Sequence, residues 1–209
     1  HRDLHSFPTR RSSDLHTTSH LLYLHGFRSS PQSAKARLVA QEVREAHPHV
    51  VWCCPQLPPS PREAAGLILQ LTQDWPQQDM AVIGSSLGGF YARWLSLQRR
   101  CRAALLNPAP FPQRDLARHI GEHPVWHNPD EHIFFRPEFV DELVTLARDI
   151  DSLAPHQPAT PERLFALVSE QDEVLDRREM MDFCAGGHIL RLPDGDHAIS
   201  DFDRHIGPL

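Results

Sequence analysis

The apolar run Met80–Gly84 passes without a break into Gly84-Ser85-Ser86-Leu87-Gly88, and an amphipathic stretch over Phe90–Arg100 follows at once. A strand, a tight glycine-framed turn and a helix in that order leave few ways to fold. The serine of such a G-x-S-x-G turn is lifted above the end of a sheet, and small flanking residues relieve the crowding that the strained turn creates. The following helix aims its N-terminus and its free N–H groups at the same point. Ser86 is therefore a candidate nucleophile, framed by Gly84 and Gly88. A glycine-rich turn that performs no chemistry is the plain alternative, so the decision rests on the rest of the chain.

That rest alternates. His20–His25, Val50–Cys54, Ala103–Leu106, Leu164–Val168 and His188–Leu192 are short apolar runs of strand length. Between them, residues 31–47 place Ala34, Leu38, Val39 and Val43 on one helical face, and Glu63–Asp74 is helical. Pro55 and the Pro58-Pro59-Ser60-Pro61 cluster end the second strand. Strands alternating with helices predict an α/β fold with a mainly parallel sheet flanked by helices. Residues 108–160 break the rhythm. They are rich in Pro, His and aromatics, with one convincing helix near Glu138–Asp149, and are expected to form a small helical cap inserted over the sheet.

Composition narrows the classes. A chain of 209 residues fits one domain, placed at 20–209. The net charge of −6 lacks the basic stripe that nucleic-acid binding needs. The longest apolar runs, near Leu21–Leu24 and Leu67–Leu71, are far too short to span a membrane. With no apolar signal segment at the N-terminus, a reducing cytoplasm is expected. Cys53, Cys54, Cys101 and Cys184 form no CxxC pair and read as inert thiols. Lys35 is the only lysine, and the arginine excess reads as a compositional bias rather than as chemistry. Residues 1–16 are polar, aperiodic and lack an initiating methionine, so they read as a non-native or disordered leader. The chain stops at Pro208-Leu209, shortly after what looks like the start of a last helix, which reads as truncation.

Nucleophilic catalysis by serine needs a base and an acid to orient the base. In sheets with a G-x-S-x-G elbow the chain order is nucleophile, acid, histidine, with the last two after late strands. Here Leu164–Val168 leads to Asp172, and His188–Leu192 leads to His197. Asp172 is the expected acid, with Glu173 and Asp176 as nearby competitors. His25-Gly26-Phe27 follows the first strand, where such folds take one oxyanion-hole N–H, the other coming from the residue after the nucleophile. This nominates the backbone N–H groups of Phe27 and Leu87. His25 is expected to brace the loop.

LLYLHGFRSSPQSAKA (21–36), PQLPPSP (55–61), IGSSLGGFYARWL (83–95), LNPA (106–109), DEVLD (172–176) and GDHAI (195–199) resemble the YqiA-type small bacterial esterases of the α/β-hydrolase superfamily. The resemblance is collinear from about residue 20 to 206. It implies hydrolysis of carboxylic esters, including acyl-CoA thioesters, with no metal or organic cofactor. It also implies Ser86, Asp172 and His197 as the triad. Residues 110–160 match poorly, so acyl-chain preference does not carry over.

Three other readings stay open. His119, His123, His127 and His132 could gather round a metal, although Pro124 and Pro129 interrupt a common helix and no HExxH or Cys/His framework is present. A non-catalytic ligand-binding module on the same fold predicts a broken triad. An acyltransferase would pass the acyl group to an alcohol instead of water.

Overall fold

A computed structural model of the chain describes residues 18–126 and 128–207. The expected leader, His127 and Pro208-Leu209 lie outside the described residues. Eight strands occur among those described: β1 His20–Leu24, β2 Val51–Cys53, β3 Met80–Ser85, β4 Arg102–Leu106, β5 Gly121–Val125, β6 Asn128–Phe135, β7 Leu164–Ser169 and β8 His188–Leu192. The helices are α1 Ala34–Ala46, α2 Pro61–Thr72, α3 Leu87–Arg99, α4 Pro112–Asp115, α5 Pro137–Leu153 and α6 Arg177–Phe183.

Six strands form one sheet in the order β2-β1-β3-β4-β7-β8, with every pairing parallel. Their side chains alternate between two buried faces, as the two-residue period of a strand requires. Leu22, Leu24, Val82, Leu105, Ala166 and Val168 point to one face, where they meet α2, α3 and α5. Tyr23, Ile83, Leu106, Leu167 and Leu192 point to the other, against Val39 and Val43 of α1 and against Ile199 and Phe202. Burial on both sides explains why the inner strands read as apolar runs.

α3 is the central helix and is buried from Leu87 to Leu97. Its approach to the sheet is possible only through glycine. A Cβ on Gly84 would lie 2.0 Å from the Gly88 carbonyl oxygen, and one on Gly88 would lie 2.0 Å from the Leu24 carbonyl oxygen. The helix therefore presses its first turn onto the ends of β1 and β3, and this fixes where Ser86 sits.

The segment between β4 and β7 departs from the expected helical cap. The helix predicted near Glu138–Asp149 is present as the longer α5, whose buried Leu143, Leu146 and Ile150 pack into the core. Before it, however, β5 and β6 pair antiparallel as a separate two-stranded hairpin. Pro124 within β5 and the polar residues of β6 hide this hairpin from pattern reading, because proline argues against a strand. It holds its place through its inward face. Val125 and Phe135 are buried, and the Phe135 ring meets Phe27 edge-on at 5.4 Å.

Candidate active site

The turn after β3 puts Ser86 in a backbone conformation that side chains rarely adopt, with φ 55°. Four backbone hydrogen bonds hold it there. The Ser86 N–H donates to the Leu106 carbonyl at 3.0 Å, and the Ser86 carbonyl accepts from the N–H groups of Gly89, Phe90 and Ala109. Strain of this kind persists only where the surroundings over-determine it.

β8 ends at Leu192, and the loop beyond it carries His197 back over the elbow. His197 Nε2 lies 3.1 Å from Ser86 Oγ, and His197 Nδ1 lies 2.8 Å from Asp172 Oδ2. The carboxylate can only accept, so Nδ1 carries the proton and donates it to Asp172, leaving the Nε2 lone pair facing the serine hydroxyl. The Asp172 side chain is fully buried, whereas the His197 ring is one-fifth exposed. Asp172 Oδ1 accepts the N–H groups of Val174 and Leu175, each at 2.8 Å, so the loop after β7 locks the carboxylate in place.

The competing acids have other partners. Glu173 Oε2 accepts the backbone N–H of His197 at 3.0 Å, which steadies the histidine without touching its ring. Asp176 is the N-cap of α6 and accepts the Arg178 N–H at 2.7 Å. Aspartate is a preferred cap because its oxygen satisfies one of the N–H groups a helix start leaves unmatched.

Phe27 and Leu87 line one cavity of about 650 Å³ together with Ser86 and His197. Leu87 is the first residue of α3, where backbone N–H groups have no partner within the helix. The loop carrying Phe27 passes close to Ser86, since a Cβ on Gly26 would sit 3.3 Å from Ser86 Cβ. His25 is buried beneath this loop. Its Nε2 accepts the Leu57 N–H at 3.0 Å, so Nδ1 bears the proton and donates to the Gly26 carbonyl at 2.9 Å. It ties the loop to the segment before α2.

The cavity wall holds residues that pattern reading did not single out. Lys35, in the first turn of α1, donates to the Ala198 carbonyl at 2.5 Å. Burial draws its ammonium down to about 8, against the pull of Asp196 and Asp172. Its lone occurrence in an arginine-rich chain was the available signal. Arg28 stacks over the Trp126 ring at 4.1 Å and donates Nε–H to the Pro124 carbonyl at 2.7 Å, joining the Phe27 loop to the hairpin. A second cavity of about 510 Å³ opens against α1 and the other end of the strands, lined by Leu21, Val43, Ala104 and Phe165. In open parallel sheets ligands bind at the carboxyl ends of the strands, which is the end where Ser86, Asp172 and His197 meet.

The histidines of the hairpin region have packing partners. The rings of His119 and His123 lie 5.5 Å apart, with Phe27 about as close to each, and His123 Nε2 donates to the His119 carbonyl at 2.7 Å. His132 sits opposite Pro124 in the hairpin register. Among the described residues, no group of three or more His, Cys, Asp or Glu side chains is placed to hold a metal ion. No helix among them is long and apolar enough to cross a membrane.

Known structures share this architecture. One from work on LipS and LipT, two metagenome-derived lipolytic enzymes, superposes with a TM-score of 0.67 at 17% identity, covering 92% of each chain. Est1E from Butyrivibrio proteoclasticus gives 0.64 at 14% identity, over 92% of this chain and 85% of that one. The monoacylglycerol lipase of Paleococcus ferrophilus gives 0.62 at 13% identity, over 91% and 93%. Likeness at this identity shows the fold, which is that of the α/β-hydrolases. Residues 20–209 match the uncharacterised protein family UPF0227, the YqiA family, and the chain belongs to it.

Proposed function

We propose that the chain is a serine esterase that hydrolyses carboxylic esters through an acyl-enzyme on Ser86. The observation that carries this reading is the unbroken hydrogen-bonded relay Asp172–His197–Ser86, whose Ser86 and His197 line the 650 Å³ cavity. A binding module that had lost its chemistry would not need it.

In the proposed reaction, Ser86 Oγ attacks the acyl carbonyl carbon while His197 Nε2 takes the hydroxyl proton. Asp172 stabilises the imidazolium that forms. The developing oxyanion takes the N–H groups of Phe27 and Leu87, each such donor contributing about 3–4 kcal/mol of transition-state stabilisation. His197 then gives its proton to the leaving alkoxide, and the ester bond breaks. A water attacks the acyl-enzyme with His197 again as base, which releases the carboxylic acid and restores Ser86. The esterases and lipases among the similar folds agree with this assignment. Capture of the acyl group by an alcohol uses the same machinery, and product analysis with and without added alcohol distinguishes it.

A thioester reading has an observation of its own. Arg28, Lys35 and Arg118 line the cavity. An acyl-CoA would bring phosphates to these cations.

The test is a nitrophenyl ester series from acetate to palmitate, with acyl-CoA thiol release run in parallel and Ser86→Ala as control. Turnover that falls to background in the variant supports the reading, and the two substrate sets rank ester against thioester. Equal rates for folded wild type and variant would overturn it.

A further inference from the structure

The tight segment after β4 does more than connect the sheet to the cap. Asn107 follows β4 directly, is fully buried and adopts φ 42°, in the left-handed region that asparagine tolerates better than most residues. Its side chain bridges the loops after β7 and β8, both some sixty residues or more further along the chain. Oδ1 accepts the Ser169 N–H at 2.8 Å, and Nδ2 faces Ser169 Oγ at 2.9 Å. The same Nδ2 donates to the carbonyls of Asp196 and His197, each at 3.0 Å.

The backbone on either side of it belongs to the nucleophile. Leu106 accepts the Ser86 N–H, and Ala109 donates to the Ser86 carbonyl. Asn107's own N–H donates to Leu167 in β7. Ser169 ends β7 and begins the loop that holds Asp172, while Asp196 and His197 belong to the loop after β8. One residue is thus bonded to the elbow through its neighbours, to the acid loop through Oδ1 and to the histidine loop through Nδ2.

We propose that Asn107 is a positioning residue that sets the distance between His197 and Ser86 by joining the acid loop and the histidine loop to the elbow. The proposal rests on the serine-esterase reading above. Asparagine fits the post because its amide both accepts and donates in one plane. Aspartate at the same place would aim a carboxylate oxygen at two carbonyls and bury a charge. A leucine would leave the Ser169 N–H and two carbonyls without partners. Lys35 holds the same loop from outside through Ala198, so the fold can survive loss of the inner anchor while the loop shifts. A misplacement of about 1 Å is enough to cost roughly 100-fold in rate.

Asn107→Asp and Asn107→Gly test this, the glycine being free to keep the positive φ and leave room for water. Each is made in the wild-type and His197→Ala backgrounds, with thermal unfolding, kcat and KM measured on a nitrophenyl ester. The expected result is folded protein with kcat lowered about 100-fold and KM within threefold. In the His197→Ala background the same substitutions should lower the residual rate less than threefold, because the positioned group is already gone. A purely structural role would lower both backgrounds alike, and that result overturns the proposal. So does wild-type kcat in either folded variant, or failure of both to fold. Ser86→Ala in the same assay separates the two claims, since an active Ser86→Ala would remove the esterase reading itself.

Discussion

The carboxyl ends of the strands and the hairpin that overhangs them are built by opposite rules. At the strand ends the backbone is fixed from every side. Ser86 is held by four backbone bonds, Asp172 by three hydrogen bonds to its carboxylate, and α3 is in contact through glycines that admit no added carbon. In the hairpin region the strands pair only with each other, and Phe111, Ile120, Trp126 and Phe134 stand exposed. The first region can hold reacting atoms within fractions of an ångström. The second brings the exposed Trp126, with Arg28 stacked over it, to the cavity wall. The serine-esterase proposal places the chemistry in the first region and acyl-group selection in the second, and substitutions should separate them.

The largest effect is expected at the rigid end. Asp172→Asn should reduce kcat about 10⁴-fold, because the amide favours the wrong imidazole tautomer, with thermal unfolding little changed. Asp176→Asn should leave kcat within a few-fold, since that carboxylate caps α6 and touches no part of His197. Steady-state kinetics of the two variants side by side would expose a mistaken choice of acid. Gly84→Ala should cost about 3 kcal/mol or more in denaturant unfolding, because the new carbon meets backbone, which cannot move aside. Tolerance of this change would mean that α3 is not pressed onto the sheet as described.

Lys35 gives a smaller effect with a definite sign. Burial lowers its folded-state value from 10.5 to about 8, so between those values the unfolded chain binds more protons than the folded one. Stability linked to this group therefore rises as pH climbs from about 8 towards 10.5. Wild type should gain on Lys35→Met in melting temperature between pH 7 and pH 9.5, and a constant gap would show that the ammonium is not desolvated. The smallest change in kcat is expected at the hairpin. Trp126→Ala should alter KM a few-fold, in a manner that depends on acyl length, and leave kcat for acetate esters near wild type. Equal losses for every ester would mean that the hairpin, through Arg28 and the Phe27 loop, takes part in positioning as well.

The same contrast governs what could be read from the residues. The parallel sheet was legible because its inner strands β1, β3, β4 and β7 are mostly buried, and even the half-exposed edge strand β8 falls at the predicted bounds His188–Leu192. The elbow was legible because Gly84 and Gly88 are required by contacts between backbones. The hairpin was not. Its inward residues His123, Val125, Ile133 and Phe135 recur at every second position, but the outward Phe134, Pro124 and a stretch of charge mask the period. α6 was missed because seven residues are too few for a helical period to stand out. Asn107 and Lys35 were passed over for another reason. Their partners lie on loops far along the chain, Ser169, Asp196 and His197 for Asn107 and Ala198 for Lys35, and no local pattern reports such a meeting.

The central claim is that His197 activates Ser86 for attack. Labelling with a fluorophosphonate, followed by peptide mass spectrometry, tests it most directly, because the probe reacts only with an activated hydroxyl. One adduct per chain is expected, on Ser86, absent in Ser86→Ala and formed at least 100-fold more slowly in folded His197→Ala. An adduct on another residue, or labelling of Ser86 at an unchanged rate without His197, would contradict it.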